Sequence, residues 1–178
     1  MVKHYLNEDE LVKACKEQDP QAQFALFEKY KVAMFNLIYR ICNDYDRSND
    51  HLQEGFIDVF RNIKHFRQES TLGAWIKIIM VRKALREIRT ESRLDHSHDQ
   101  IQSNDFMIDQ WIDAETLDKA IRKLPESSRT VFVLYEIEGY SHKEIANMLK
   151  VSEGTSKSQL HYAKKSLQKT LSKNYHAK

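Results

Sequence analysis

The sequence predicts an all-α protein: two small helical domains joined by a flexible acidic linker, the C-terminal one containing a helix-turn-helix. Three observations predict it. The 178 residues include only four glycines and two prolines, too few for a strand-and-turn architecture. Apolar residues recur at spacings of three and four along most of the chain. One stretch, residues 93–113, breaks that period and is polar and acidic. The expected division is therefore 1–92, a linker at 93–113, and 114–178.

A short helix is expected over Glu8–Glu17. The next opens at Asp19-Pro20, a capping carboxylate followed by proline at the first helical position. Phe27, Tyr30, Met34, Leu37 and Ile41 form its apolar stripe. A third helix is expected from about Ser48 to His65, with Leu52, Phe56, Val59, Ile63 and Phe66 facing inward. A fourth covers about Thr71–Glu91. Its first half is apolar nearly all round and is expected to be buried, with Trp75 read as a core residue. Four helices with short connections make one small bundle.

After the linker, helices are expected at 114–123, 127–138, 141–149 and 153–171. Gly139 ends the second of these, where a left-handed residue is cheap. Ser141 with Glu144 three positions on predicts a capping box, and Ser152 an N-cap. Two short helices joined by a tight turn, the second basic, form a helix-turn-helix. In the last helix Leu160, Ala163, Leu167 and Leu171 form the inner stripe. Thr155, Ser158, Tyr162, Lys165 and Lys169 lie opposite, with Lys157, His161 and Lys164 between. Donors and cations on that side suit bases and phosphates.

Charge is laid out unevenly behind a net +2. Residues 1–74 carry ten basic against twelve acidic side chains, and residues 75–94 six against two. Residues 95–118 hold seven acidic side chains and no Lys or Arg; from Lys119 on, twelve basic face five acidic. Two basic zones separated by an acidic one suit two surfaces facing a polyanion. Arg82, Arg86, Arg89 and Arg93 recur at four, three and four, which lines one helix face suited to phosphates.

The residues then resemble a known family: sigma factors of the extracytoplasmic-function (ECF) type. Leu124-Pro125-Glu126, Arg129, Val131-Phe132 and Glu138-Gly139-Tyr140-Ser141 with Glu144-Ile145-Ala146 resemble the family's fourth region. The run Gly154–Lys164 follows at the expected distance. Asp50-x-x-Gln53-Glu54-Gly55 resembles the second-region surface that grips core RNA polymerase. Phe66-Arg67-x-Glu69-Ser70-Thr71 and Ala74-Trp75-Ile76 resemble the loop and helix that read the −10 element.

The resemblance implies that Asp50, Gln53, Glu54 and Phe60 contact core polymerase. It assigns Phe66, Arg67, Ser70, Thr71, Lys77, Arg82, Arg86 and Arg89 to −10 DNA. Thr155, Lys157, Ser158, Gln159, His161, Tyr162 and Lys165 fall to −35 DNA. It also implies an anti-sigma partner and a linker threading the polymerase channel. The chain departs from the family at Arg82 (often Asn), Arg86 (commonly acidic), and Ser156, Gln159 and Tyr162 (frequently Val, Arg and Arg), which leaves the promoter sequence open.

Enzymatic chemistry is not expected: there is no P-loop, HExxH or GxSxG, and little glycine to cradle phosphates. Asp95-His96-Ser97-His98-Asp99 is too sparse for a zinc site, so no metal, cofactor or small-molecule substrate is predicted. Cys15 and Cys42 read as reduced thiols. With no run of eighteen apolar residues and no apolar signal core in Met1–Glu10, a cytoplasmic protein is expected. The competing reading is an operator-binding helix-turn-helix regulator, which would have no use for the Asp50–Gly55 motif.

Overall fold

A computed structural model of the protein describes residues 7–91 and 113–175. The linker as far as residue 112, with Arg93 and the Asp95–Asp99 cluster, and the side chain of Arg89 lie outside the described residues. Among the described residues the secondary structure is entirely helical. They fall into two compact units. One joins residues up to Tyr39 with Asp44–Ala84; the other joins Arg40–Asn43 with residues from Leu85 on.

The first unit is built on α1 (Glu8–Lys16), most of α2 (Pro20–Cys42), α3 (Tyr45–Asn62) and the first part of α4 (Leu72–Glu91), the last turns of α2 and α4 counting with the second. Local chemistry sets their starts. Asn7 Oδ1 accepts from the Glu10 amide at 2.9 Å to cap α1, whose first turn is acidic and last turn basic. Asp19 accepts from Gln21 N at 2.9 Å before α2. α3 starts at Tyr45, three residues earlier than the sequence suggests. Asp44, not Ser48, is its cap, accepting from Arg47 N at 2.9 Å, while Asn43 at φ 55° turns the chain out of α2. Ser48 lies one turn inside the helix, buried, with its hydroxyl on the Asp44 carbonyl.

The core collects Leu26, Met34, Leu37 and Ile38 of α2 with Leu52, Phe56, Val59 and Ile63 of α3 and the turn after it. Leu72, Ile76, Met80, Val81 and Ala84 of α4 close it. Phe27 and Tyr30, expected in the stripe of α2, are only half-buried, and Phe27 meets Phe56 edge-on at 4.8 Å. α4 is not buried all round: Ile78, on the side away from Ile76 and Met80, stays exposed. Gly55 allows α3 and α4 to close up, because a Cβ there would overlap Met80 Sδ. Cys15 and Cys42 are both free and buried; burial pushes the Cys15 thiol up to about 11, which leaves it inert.

In the second unit α5 (Ala114–Arg122), α6 (Glu126–Phe132), α7 (His142–Leu149) and α8 (Glu153–Tyr175) follow one another. Asp113 caps α5 by accepting from Thr116 N at 2.9 Å. The expected helix 127–138 begins at Glu126 and widens after Phe132 into a π-helical turn, Val133–Ile137, before Gly139 at φ 76° ends it. The capping box at Ser141 and Glu144 forms as expected. Lys150, at φ 61°, closes α7 in the left-handed conformation. Ser152 accepts from Thr155 N at 2.9 Å to start α8. Helices α5, α6 and α7 all pack on α8, around Ile121, Leu134, Ile145, Leu160, Ala163 and Leu167.

Candidate nucleic-acid and polymerase interfaces

On α3, Asp50, Gln53 and Glu54 are exposed and share one face, three and four residues apart. Phe60 is half-buried, 6.0 Å from the Phe56 ring, so only part of it is open to a partner. The sequence reading missed Ile57. It is 48% exposed, one turn beyond Gln53 and Glu54, and adds an apolar contact to the polar stripe; the i+3/i+4 spacing was the available signal. It also missed Lys83, whose ammonium reaches from α4 to Asp58 at 2.7 Å and Glu54 at 3.3 Å. The hydrogen bond to Asp58 leads in raising the Lys83 pKa. Lys83 is thus engaged on α3, while Arg82 and Arg86 of the same helix are exposed.

The Phe66–Thr71 loop joins a short 3-10 turn, Ile63–His65, to α4. Phe66 itself is buried, its ring 5.3 Å from half-buried Trp75, so the two aromatic side chains form the base of the loop. Arg67, Ser70 and Thr71 are exposed, and Thr71 Oγ1 accepts from Ala74 N at 3.3 Å. Lys77 is half-buried on α4. Beside the loop is a cavity of about 240 Å³, lined by Gln68, Ser70 and Thr71 on one side and by Glu8 and Asp9 on the other. Lys29 Nζ, 2.7 Å from Glu8, leads in holding its carboxyl below the usual range.

The outer side of α8 carries exposed Lys157, Tyr162, Lys165 and Lys169, with Thr155, Ser158 and His161 half-buried. Ser158 Oγ donates back to the Thr155 carbonyl at 2.9 Å, and Thr155 Oγ1 pairs with Ser152 Oγ at 2.9 Å. Lys164 is drawn into an ion pair with Glu136 at 2.7 Å. Gln159 differs from its expected position. It is 4% exposed, and its Oε1 accepts from the hydroxyls of Ser128 and, at 3.3 Å, Ser127. Turned inward, it offers nothing to a base edge. Ser156, likewise buried, meets His142 Nδ1 at 2.9 Å, and the His142 ring stacks on Tyr135 at 4.4 Å. Burial first, then Lys157, lowers the His142 pKa. Arg129 is buried too and donates to the Leu124 carbonyl at 2.8 Å.

Comparison with known proteins gives these three surfaces a common setting. Residues 26–94 match the family Sigma-70 region 2 and residues 114–167 match Sigma-70, region 4, together more than half of the chain. The chain is 28% identical over 181 residues to the RNA polymerase sigma-H factor of Pseudomonas aeruginosa, covering 92% of this chain and 93% of that one. It is 27% identical over 177 residues to the ECF RNA polymerase sigma factor SigW of Bacillus subtilis, covering 90% and 94%. In fold it is similar to the sigma factor RpoE of Bartonella quintana, solved with the anti-sigma factor NepR. The TM-score is 0.54 at 19% identity, over 83% of this chain and 97% of that one. With both regions present in order and relatives matched over nearly their whole length, the chain belongs to the RNA polymerase sigma factors of the extracytoplasmic-function type.

Proposed function

We propose that this sigma factor binds core RNA polymerase through the Asp50, Gln53 and Glu54 stripe of α3, extended by Ile57 and the exposed part of Phe60. On this reading residues 1–92 form the region 2 domain, 93–113 the linker and 114–178 the region 4 domain. The observation that carries it is a polar stripe left open on α3 in a chain that also has a helix-turn-helix. A regulator that only binds an operator needs the second and not the first.

Promoter opening requires a surface that prefers unpaired bases. Unstacking costs about a few kcal/mol. A base received in the cavity beside Phe66, Ser70 and Thr71 returns a comparable amount. Arg67, Lys77, Arg82, Arg86 and Arg89 take phosphates of the −10 segment, each contact steepening the salt dependence. On α8, Thr155, Lys157, Ser158, His161, Tyr162 and Lys165 take the −35 duplex in the major groove, with Gln159 supporting the helix from within. The working place is the cytoplasm, where polymerase and promoter meet; no described helix is long and apolar enough to cross a membrane. An anti-sigma factor is the expected protein partner of these faces; the similar sigma factor RpoE was solved in complex with one, NepR.

Run-off transcription with purified core polymerase on genomic fragments tests the reading. Initiation at discrete sites that depends on this chain is the expected result. Absence of any affinity for core polymerase would overturn it.

A further inference from the structure

The Phe66–Thr71 loop contains no regular structure to hold its shape, and Gln68 sits in the left-handed region at φ 58°. A non-glycine residue stays there only where its surroundings insist on it. Here the insistence comes from α1, an element outside every motif that pointed to DNA. At the start of the loop, Lys16 Nζ donates to the Phe66 carbonyl at 2.9 Å. In the middle, Gln68 Nε2 donates to Asp9 Oδ1 at 2.8 Å. Between these two ties, Glu8, Asp9 and Val12 form the wall of the cavity opposite Ser70 and Thr71. Tyr30 and Lys29 of α2 fix Glu8 in turn, at 3.0 and 2.7 Å from Oε2.

We infer that α1 is the second wall of the base-accepting cavity, and that Asp9 and Lys16 are positioning residues that hold the promoter-reading loop in the shape that discriminates one base from another. The inference rests on the reading that this loop receives an unpaired base. Glu8 on the α1 wall is paired with Lys29, which leaves the Asp9 carboxylate to disfavour a phosphate there and the uncharged base edge to enter. Neither Asp9 nor Lys16 reads the base. Each acts through Gln68 or the Phe66 carbonyl.

The test uses holoenzyme assembled from core polymerase and the full chain, with Asp9→Ala, Lys16→Met and Lys16→Arg. Binding is measured on forked promoter DNA whose −10 non-template strand is unpaired, with every base tried at each position. Wild-type holoenzyme is expected to prefer one base at one position at least. Asp9→Ala and Lys16→Met should flatten that preference about tenfold while competing for core within twofold of wild type and melting at the same temperature. Lys16→Arg, which still donates to the Phe66 carbonyl, should restore it. An unchanged preference profile in both variants overturns the inference and leaves the loop reading standing. Loss of core affinity and melting temperature in step with the preference overturns it too, because α1 would then be a general brace. If wild type shows no base preference at any position, the loop reading itself fails and the inference falls with it.

Discussion

The loop at Phe66–Thr71 and the helix α8 both turn polar side chains outward, yet they are held in place by different means. The loop is pinned at the protein surface by side chains of another helix, Lys16 and Asp9, over a core that is almost wholly apolar. Helix α8 carries its own support on its inner face, where Gln159 meets Ser127 and Ser128, and Ser156 meets His142. A surface tie can be lost without unfolding anything, whereas a buried hydroxyl left without its partner costs about 1–3 kcal/mol of stability. The lesson is that the first unit can tune what it reads cheaply, while the second ties reading to stability.

That contrast can be broken most severely at α3. Glu54→Lys would place a cation beside Lys83 and reverse the charge of the proposed polymerase stripe. Core affinity is expected to fall about 100-fold, roughly 3 kcal/mol, with a smaller loss of folding stability because Lys83 loses Glu54 but keeps Asp58. Competition for core polymerase measures it, and equal competition would remove α3 from the interface.

The buried network comes next. Gln159→Ala should strip the Ser128 hydroxyl of its partner and destabilise the second unit by about 1–3 kcal/mol, read by denaturant unfolding. If stability holds while −35 preference changes, Gln159 faces DNA after all and the contrast disappears. In the first unit Gly55→Ala drives a methyl into Met80 and is expected to cost about 1–3 kcal/mol by the same measurement.

Smaller effects sharpen the picture. Arg82→Glu should weaken promoter binding evenly across sequences and reduce the slope of log K against log salt by about 1. An unchanged slope would show that Arg82 touches no phosphate. The smallest effect is a titration. The His142 pKa lies below its usual value, so the unfolded chain binds the proton first as pH falls. The native state therefore has its full share of stability above about pH 6.5 and loses part of it as the pH drops through that value. His142→Gln should remove that component when unfolding at pH 7.5 and 5.5 is compared with wild type.

Much of this was legible in the residues because it is local. The Ser141–Glu144 capping box, the Ser152 cap and the stop at Gly139 depend on side chains within a few positions of one another, and all form. The stripe Leu52, Phe56, Val59, Ile63 and Phe66 is buried throughout. The start of α3 was less clear because Asp44 and Ser48 are both good caps, and only the turn at Asn43 decides between them. Gln159 was misread for a subtler reason. It lies four residues before Ala163, on the inner stripe, and only the family resemblance had assigned it to DNA.

By itself, then, the sequence determined the helices, the order of the two regions, and the family, since periodicity, caps and motif spacing act over short stretches of chain. Only the tertiary structure decided that Lys83 is committed to α3, that Gln159 turns inward, and that α1 braces a loop some fifty residues away. Those outcomes depend on which side chains from distant parts of the chain meet and satisfy each other's hydrogen bonds. No periodicity in one segment records where its partner will be.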